Sequence, residues 1–466
     1  MSDYYLGNRG YCIIKNLKNT SLISSLKREL IVKPFVNKQF QQDAKPFSVY
    51  LESKRKLYIP RHFGINKFGI PKIDKIKKGE PINIEFKSDL RKNQIPVVKK
   101  FLETAQEKGG GIISVPCGFG KTVLSLYIVA KLKVKTIVIV HKEFLMDQWI
   151  ERIRFFLPNA KVGKIQGDKV NIEGCDIVLG MLQSISMKDY PGEIFDSFGF
   201  VIYDECHHLG AEVFSRSLIK VGCKYTLGLS ATPKRVDGLT KVFEWYLGNT
   251  VYRIKKREQE EVNVKLIKYY SEEDAYSEIK TNFKGMINMP IMITNICMFK
   301  KRNDILMEIV YECLEEDRKI LILSDRRDHL KYLNTILDSK KISNGFYLGG
   351  MKQKDLKITE EKNVMLGTFS MASEGFDCKT LNTIILSSPK SNIEQAVGRI
   401  LRQKKEDRKL VPTIIDIIDN FSIFSRQAEK RIKFYKKNKY NILEINKDPR
   451  KDILEQEYKF NSDSDE

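Results

Sequence analysis

Nowhere does the chain hold about 20 consecutive apolar residues, the length a helix needs to cross a bilayer. Its opening residues, MSDYYLGNRG, contain no apolar core of a secretion signal. Both absences predict a soluble, intracellular protein with no membrane attachment. The eight cysteines are scattered and none is in CxxC spacing, and the five histidines supply no ligand set beside them. Disulfide scaffolds and zinc modules are thereby excluded, and the thiols read as reduced residues in or near cores. No short repeat recurs, so solenoids are set aside as well.

Charge of one sign is abundant. With 81 Lys and Arg against 59 Asp and Glu, the net charge is +22. A positive surface attracts polyanions, because neutralising phosphates releases counterions. The chain is also rich in Lys, Ile and Asn, a composition that an A/T-rich genome produces without any function, so the charge is weak evidence. Hydrophobic residues make up 42% of the 466, enough for ordinary cores. That length suggests roughly two to four domains.

Residues 1–85 are basic, with short aromatic runs and turn residues, and read as a small β-rich accessory domain. From 86 to 250, apolar β-branched runs over 111–116, 135–141, 175–181, 200–204 and 225–230 alternate with helical stretches. Alternation of this kind predicts βαβ units and a parallel sheet covered on both faces. Residues 251–300 read as a linker plus an inserted helical element. The alternation then returns over 319–325, 345–348, 363–368, 383–388 and 413–418, in a second block of similar size spanning 301–445. The tail, 446–466, ends NSDSDE and reads as acidic and disordered. The fold class expected is α/β, with two tandem doubly wound parallel-sheet domains behind the accessory domain.

Six stretches carry chemistry. The first is Pro116-Cys117-Gly118-Phe119-Gly120-Lys121-Thr122, between a strand and the apolar helix that follows. Glycines let backbone N–H groups face phosphate oxygens, and the helix N-terminus adds its dipole. Lys121 would reach the β- and γ-phosphates of a nucleotide, and Thr122 would offer its hydroxyl to Mg²⁺. The strict phosphate-loop pattern has Gly at its first position, where this chain has Val115, so the loop alone is also compatible with a Gly-rich turn. The second is Asp204-Glu205-Cys206-His207, closing a buried-type strand. Two carboxylates at that edge lie where ligands bind in doubly wound sheets. Asp204 would hold Mg²⁺ and Glu205 would act as general base on the attacking water.

Ser230-Ala231-Thr232 follows the next strand and could relay changes at the phosphate site; read alone, it is a turn. In the second block, Thr368 and the later Gly375-Phe376-Asp377 follow a strand and suit approach to a phosphate backbone, though a polar loop explains them equally well. Gln395-Ala396-Val397-Gly398-Arg399-Ile400-Leu401-Arg402 places two arginines at i, i+3, on one face of a helix. Planar guanidiniums suit the charge that develops on a transferred phosphoryl group. Upstream, Leu90-Arg91-Lys92-Asn93-Gln94 could set the Gln94 amide against an adenine edge.

In this order the stretches resemble motifs I, II, III, V and VI of helicase superfamily 2, over about residues 85–420. DECH, SAT, SEGFD and QAVGRILR are similar to the DNA-repair and phage-type branch, and LYIPRHFGINKFG before LRKNQ resembles the transcript-release DNA helicases of large DNA viruses, the poxvirus type. The resemblance implies two RecA-like lobes with ATP between them and Mg²⁺ as cofactor. The catalytic set it implies is Lys121, Asp204, Glu205, Arg399 and Arg402. Gln94, Gly118, Phe119, Gly120, Lys121, Thr122, Gly375 and Asp377 would bind the nucleotide, with Thr122 and Asp204 on the metal. His207, Ser230, Thr232 and Gln395 would couple the sites. Nucleic-acid contacts would come from His141, Lys142, Gln183, Ser184 and Thr368. The partner implied is nucleic acid, DNA ahead of RNA, with transcription machinery as a further partner. A viral source would imply host cytoplasm or virion. An RNA helicase, a remodeller that does not unwind, and a binding subunit that has lost catalysis are the competing readings.

Overall fold

The computed structural model describes residues 3–35, 45–116, 118–207, 212–231, 235, 237–254, 261–374, 376, 378–401, 403, 407–447 and 456–458. The chain forms two compact units, Met1–Lys256 and Arg257–Glu466.

In the first unit, Tyr4–Gly7, Gly10–Ile14, Lys56–Ile59 and Leu51–Glu52 form a small antiparallel sheet. Its tight first turn depends on Gly10, whose φ is +107° and whose added Cβ would lie 2.4 Å from the Ile59 carbonyl oxygen. This β-rich module shares its core with the sheet that follows: Tyr11, Ile13, Leu57 and Ile59 belong to one buried cluster with Val201, Tyr203, Phe243 and Leu247. Polar ties reinforce the seam. Arg61 Nη1 donates to the Lys224 carbonyl at 2.6 Å, and the Tyr246 hydroxyl donates to the Val49 carbonyl at 2.6 Å.

The main sheet of this unit has the order Lys169–Asn171, Val162–Gln166, Ile177–Met181, Thr136–Val140, Phe200–Tyr203, Tyr225–Ser230, Gly110–Ser114, Thr250–Arg253. Only the first pair is antiparallel. Its central strands, such as TIVIV and FVIY, are buried at every position because helices cover both faces. Tyr225–Ser230 lies between Phe200–Tyr203 and Gly110–Ser114, with Ser230 in register with Ser114. The loops leaving these three strands therefore share one carboxyl edge.

The second unit repeats the plan: Asn344–Tyr347, Val364–Gly367, Ile320–Leu323, Thr383–Leu386, Thr413–Asp419, Asn263–Tyr269, Asn441–Lys447, Gln456–Tyr458, parallel but for the last pair. Three stretches depart from what the sequence predicts. Residues 251–300 contain helix Met289–Met298, but also the strand Asn263–Tyr269, paired over seven residues with Thr413–Asp419. Its lysines, Lys265 and Lys268, interrupt the buried Val264, Leu266 and Ile267 and read in sequence as part of the charged run beside it, and Lys268 is matched by Glu444 on the next strand at 2.5 Å. The helix expected to carry both arginines ends at Val397 (Glu394–Val397), and the backbone continues in tighter turns. Gly398, a weak helix former, follows directly, and Arg399 is drawn away by a bond to another segment. Of the tail, Gln456–Tyr458 is a strand; most of the rest lies outside the described residues. Among the described residues, no helix is long and apolar enough to cross a membrane.

Candidate nucleotide site and nucleic-acid contacts

The loop after Gly110–Ser114 turns on Gly118 (φ +82°) and Gly120 (φ +94°), left-handed conformations that favour glycine. Gly120 is fixed by space as well as by torsion, since an added Cβ would sit 2.6 Å from Gln94 Nε2 and 2.9 Å from an Arg91 guanidinium nitrogen. Val115, at the irregular first position of the pattern, is a fully buried core residue. Helix Lys121–Leu132 then begins at Lys121 and Thr122, which leaves its first N–H groups aimed at the loop.

Gln94 is 1% exposed, and its amide is used at both ends. The side-chain oxygen accepts from Arg91 N–H at 2.9 Å and Nε2 donates to the Phe119 carbonyl at 2.8 Å. Arg91 donates to the same Phe119 carbonyl. Arg91 is a residue that the sequence reading passed over although it lies three positions before Gln94.

Across the loop, the Lys121 ammonium forms a mostly buried ion pair with the Glu205 carboxylate. Glu205 has φ +47°, an uncommon and strained conformation for a side-chain-bearing residue. Asp204 Oδ2 accepts from Trp149 Nε1 at 2.9 Å and Oδ1 from the Glu205 N–H at 3.0 Å. Trp149, on helix Glu143–Phe156, had no local signal in the sequence. Burial, then the neighbouring Glu205 charge, push the Asp204 carboxyl above the ordinary carboxylate range, with Lys121 and Trp149 acting in the opposite direction. His207 Nδ1 lies 3.0 Å from Ser230 Oγ and 3.4 Å from Glu205 Oε2. Lys121, Glu205, His207 and Ser230 thus form a continuous polar chain. Cys206 is buried in the core.

The donor set suits a metal-bound nucleotide triphosphate. Hard carboxylate oxygens, a hydroxyl at a helix start, an ammonium and glycine-borne N–H groups converge on one edge. An acidic strand end alone would not establish this, as Asp419 of the second unit demonstrates. There the carboxylate is clamped by fully buried Arg302 at 2.7 and 2.9 Å and by the Tyr276 hydroxyl, so its charge is already spent on packing.

The raised Asp204 value has a consequence in solution. An Asp204 that holds Mg²⁺ would do so with its carboxylate ionised, so turnover should then fall as pH drops, at a pH above the ordinary carboxylate range. More Mg²⁺ competes better with the proton and should shift the acid limb to lower pH. Turnover profiles at two Mg²⁺ concentrations check this, and a limb indifferent to Mg²⁺ contradicts it.

Of the nucleic-acid candidates, His141 is buried and its carbonyl accepts from Gln183 Nε2 at 2.7 Å, while Ser184 Oγ accepts from Gly167 N–H at 2.9 Å. Lys142 lies 5.9 Å from the Phe144 ring centroid. These residues brace neighbouring loops at the same carboxyl edge. In the second unit, Thr368 directly follows Val364–Gly367, with its hydroxyl 3.3 Å from Ser370 Oγ. Arg399 is buried and its Nε donates to the Ala372 carbonyl at 2.7 Å; Gln395 is half-buried on its short helix. Thr232, Gly375, Asp377 and Arg402 lie outside the described residues.

Residues 87–235 match the family described as "Type III restriction enzyme, res subunit", and residues 301–404 match "Helicase conserved C-terminal domain". A protein of Acanthamoeba polyphaga mimivirus named as a putative ATP-dependent RNA helicase is 38% identical over 446 residues, covering 93% of this chain and 85% of its own. One from Invertebrate iridescent virus 6, named as a putative helicase, is 27% identical, covering 90% and 95%. One from African swine fever virus, named as a putative ATP-dependent RNA helicase, is 28% identical, covering 70% and 68%. The chain belongs to helicase superfamily 2, as an ATP-hydrolysing enzyme with two RecA-like domains that binds nucleic acid. Within the superfamily it falls in the group carried by large DNA viruses.

Proposed function

We propose that the enzyme uses ATP hydrolysis to move along DNA and separate its strands, in viral transcription or repair. The observation that carries the choice of DNA is the restriction-enzyme family match, which spans the residues holding the Lys121–Glu205 cluster. Lys121 and the N–H groups of the Gly118-Phe119-Gly120 loop hold the phosphates, and Glu205 takes the proton from the attacking water. Thr122 and Asp204 would hold Mg²⁺, which neutralises charge on the phosphate oxygens. Gln94 serves the adenine edge while bracing Phe119. His207 and Ser230 carry the state of Glu205 onward, with Thr232 and Gln395. Gly375 and Asp377 join the nucleotide contacts, and Arg399 and Arg402 stabilise developing negative charge. His141, Lys142, Gln183, Ser184 and Thr368 grip the track mainly through its backbone, so binding should weaken steeply with salt. Residues 86–250 and 301–445 are the two motor lobes in this reading.

An RNA track is the second reading, favoured by the names of the mimivirus and African swine fever virus relatives. Strand displacement from tailed DNA and RNA duplexes, run in parallel with ATP, separates them. DNA should be displaced faster; displacement of RNA alone would overturn the proposed track.

A further inference from the structure

Residues 280–288 form a small hairpin ahead of helix Met289–Met298. Thr281 and Ile287 bridge, Asn282 N–H donates to the Met286 carbonyl at 2.8 Å, and Asn288 N–H donates to the Lys280 carbonyl at 2.7 Å. The Asn282 side chain accepts from Lys284 and Met286 N–H at 2.9 and 3.1 Å, and Gly285 takes φ +71° to close the turn. The loop is therefore held at its base and at its tip. What it presents is Phe283, 94% exposed, with the Lys284 ammonium 5.7 Å from the ring centroid.

The hairpin has a defined place on the second unit. Arg326 Nη2 donates to the Pro290 carbonyl at 2.7 Å and its Nε to Thr294 Oγ1 at 2.8 Å, fastening the helix that follows the hairpin. Arg326 leaves the carboxyl end of Ile320–Leu323, where Ser324 N–H donates to the Gly367 carbonyl at 3.1 Å, one residue before Thr368. Phe283 is thus carried by an element fastened to the same sheet edge as Thr368.

We infer that Phe283 is a stacking platform for an unpaired base of the track, with Lys284 serving the adjoining phosphate. This rests on the proposed nucleic-acid contact at Thr368 and extends it beyond the motif set. An aromatic face takes any base, and a neighbouring cation suits the phosphate beside it. A protein-docking core would instead be depleted of lysine, whereas here Lys284 adjoins the ring and Lys280 lies at the hairpin base.

The test uses the full chain, wild type, F283A and F283W, with fluorescein-labelled oligo(dT) and oligo(U) of about 20 nucleotides and a blunt duplex. F283A should bind single strands about tenfold more weakly, in the range expected for loss of one stacked base. Its ATPase rate without nucleic acid and its blunt-duplex affinity should be unchanged. F283W should restore single-strand binding, and its emission should be quenched by the oligomer. Unchanged F283A affinity, with F283W emission indifferent to an oligomer that stimulates its ATPase, overturns the stacking role alone. Unchanged affinity with loss of self-association in sedimentation assigns the tip to a second copy and also overturns it. If the wild type binds neither oligomer, the track reading itself fails and this inference with it.

Discussion

Glu205→Gln should bind ATP with near-wild-type affinity and hydrolyse it at least about a hundredfold more slowly, the usual scale for removing a general base. The substitution keeps size and shape and retains a carbonyl oxygen that can accept from Lys121, so the loop that receives phosphates has no reason to collapse. What it removes is the ability to take a proton. The geometry around Glu205 suits the proposed task by more than its position after Asp204. Its backbone sits in a left-handed conformation, and its carboxylate is held between Lys121 and His207. Strain of that kind persists only where surrounding contacts impose it. Fluorescent-nucleotide binding measured beside single-turnover hydrolysis checks the expectation. Near-normal hydrolysis would remove Glu205 as the base, and loss of ATP binding would show that its main work is to orient Lys121.

Arg402→Ala should lower kcat by about a thousandfold with ATP affinity retained, the lower end for loss of an arginine that stabilises phosphoryl-transfer charge. Arg399→Ala should behave differently. Arg399 is buried and bonded through Nε to the Ala372 carbonyl, so truncation strands a buried acceptor and opens a cavity. Its melting temperature should fall along with activity. Parallel turnover and thermal-unfolding measurements on the two variants separate charge stabilisation from packing. Arg402→Ala with full turnover would place the charge-stabilising role elsewhere.

Much of this was legible in the chain because the informative signals are local. The strand expected over 225–230 forms over Tyr225–Ser230, and that expected over 200–204 over Phe200–Tyr203, since fully covered parallel strands write continuous apolar runs. The residues proposed for phosphate and metal lie at one sheet edge, on strand ends separated only by Tyr225–Ser230, for the same reason: each motif sits at a strand terminus, and a parallel sheet gathers those termini at one edge. Non-local partners left no trace. Trp149 meets Asp204 across 55 positions, and Arg326 fastens Pro290 across 36. The strand Asn263–Tyr269 was hidden because its lysines look like a continuation of the charged run before it, while its pairing partners lie about 150 and 178 positions away in Thr413–Asp419 and Asn441–Lys447. Likewise, nothing local in residues 1–85 reveals the core they share with Phe243 and Leu247.

The cluster of Lys121, Asp204 and Glu205 should hydrolyse ATP in response to nucleic acid. Steady-state ATPase activity, measured without nucleic acid and with single-stranded DNA, duplex DNA and RNA, is the decisive measurement. The basal rate should be low, rise severalfold or more with at least one of the three, and vanish in Glu205→Gln. A rate indifferent to all three, or one that survives Glu205→Gln, would contradict that expectation.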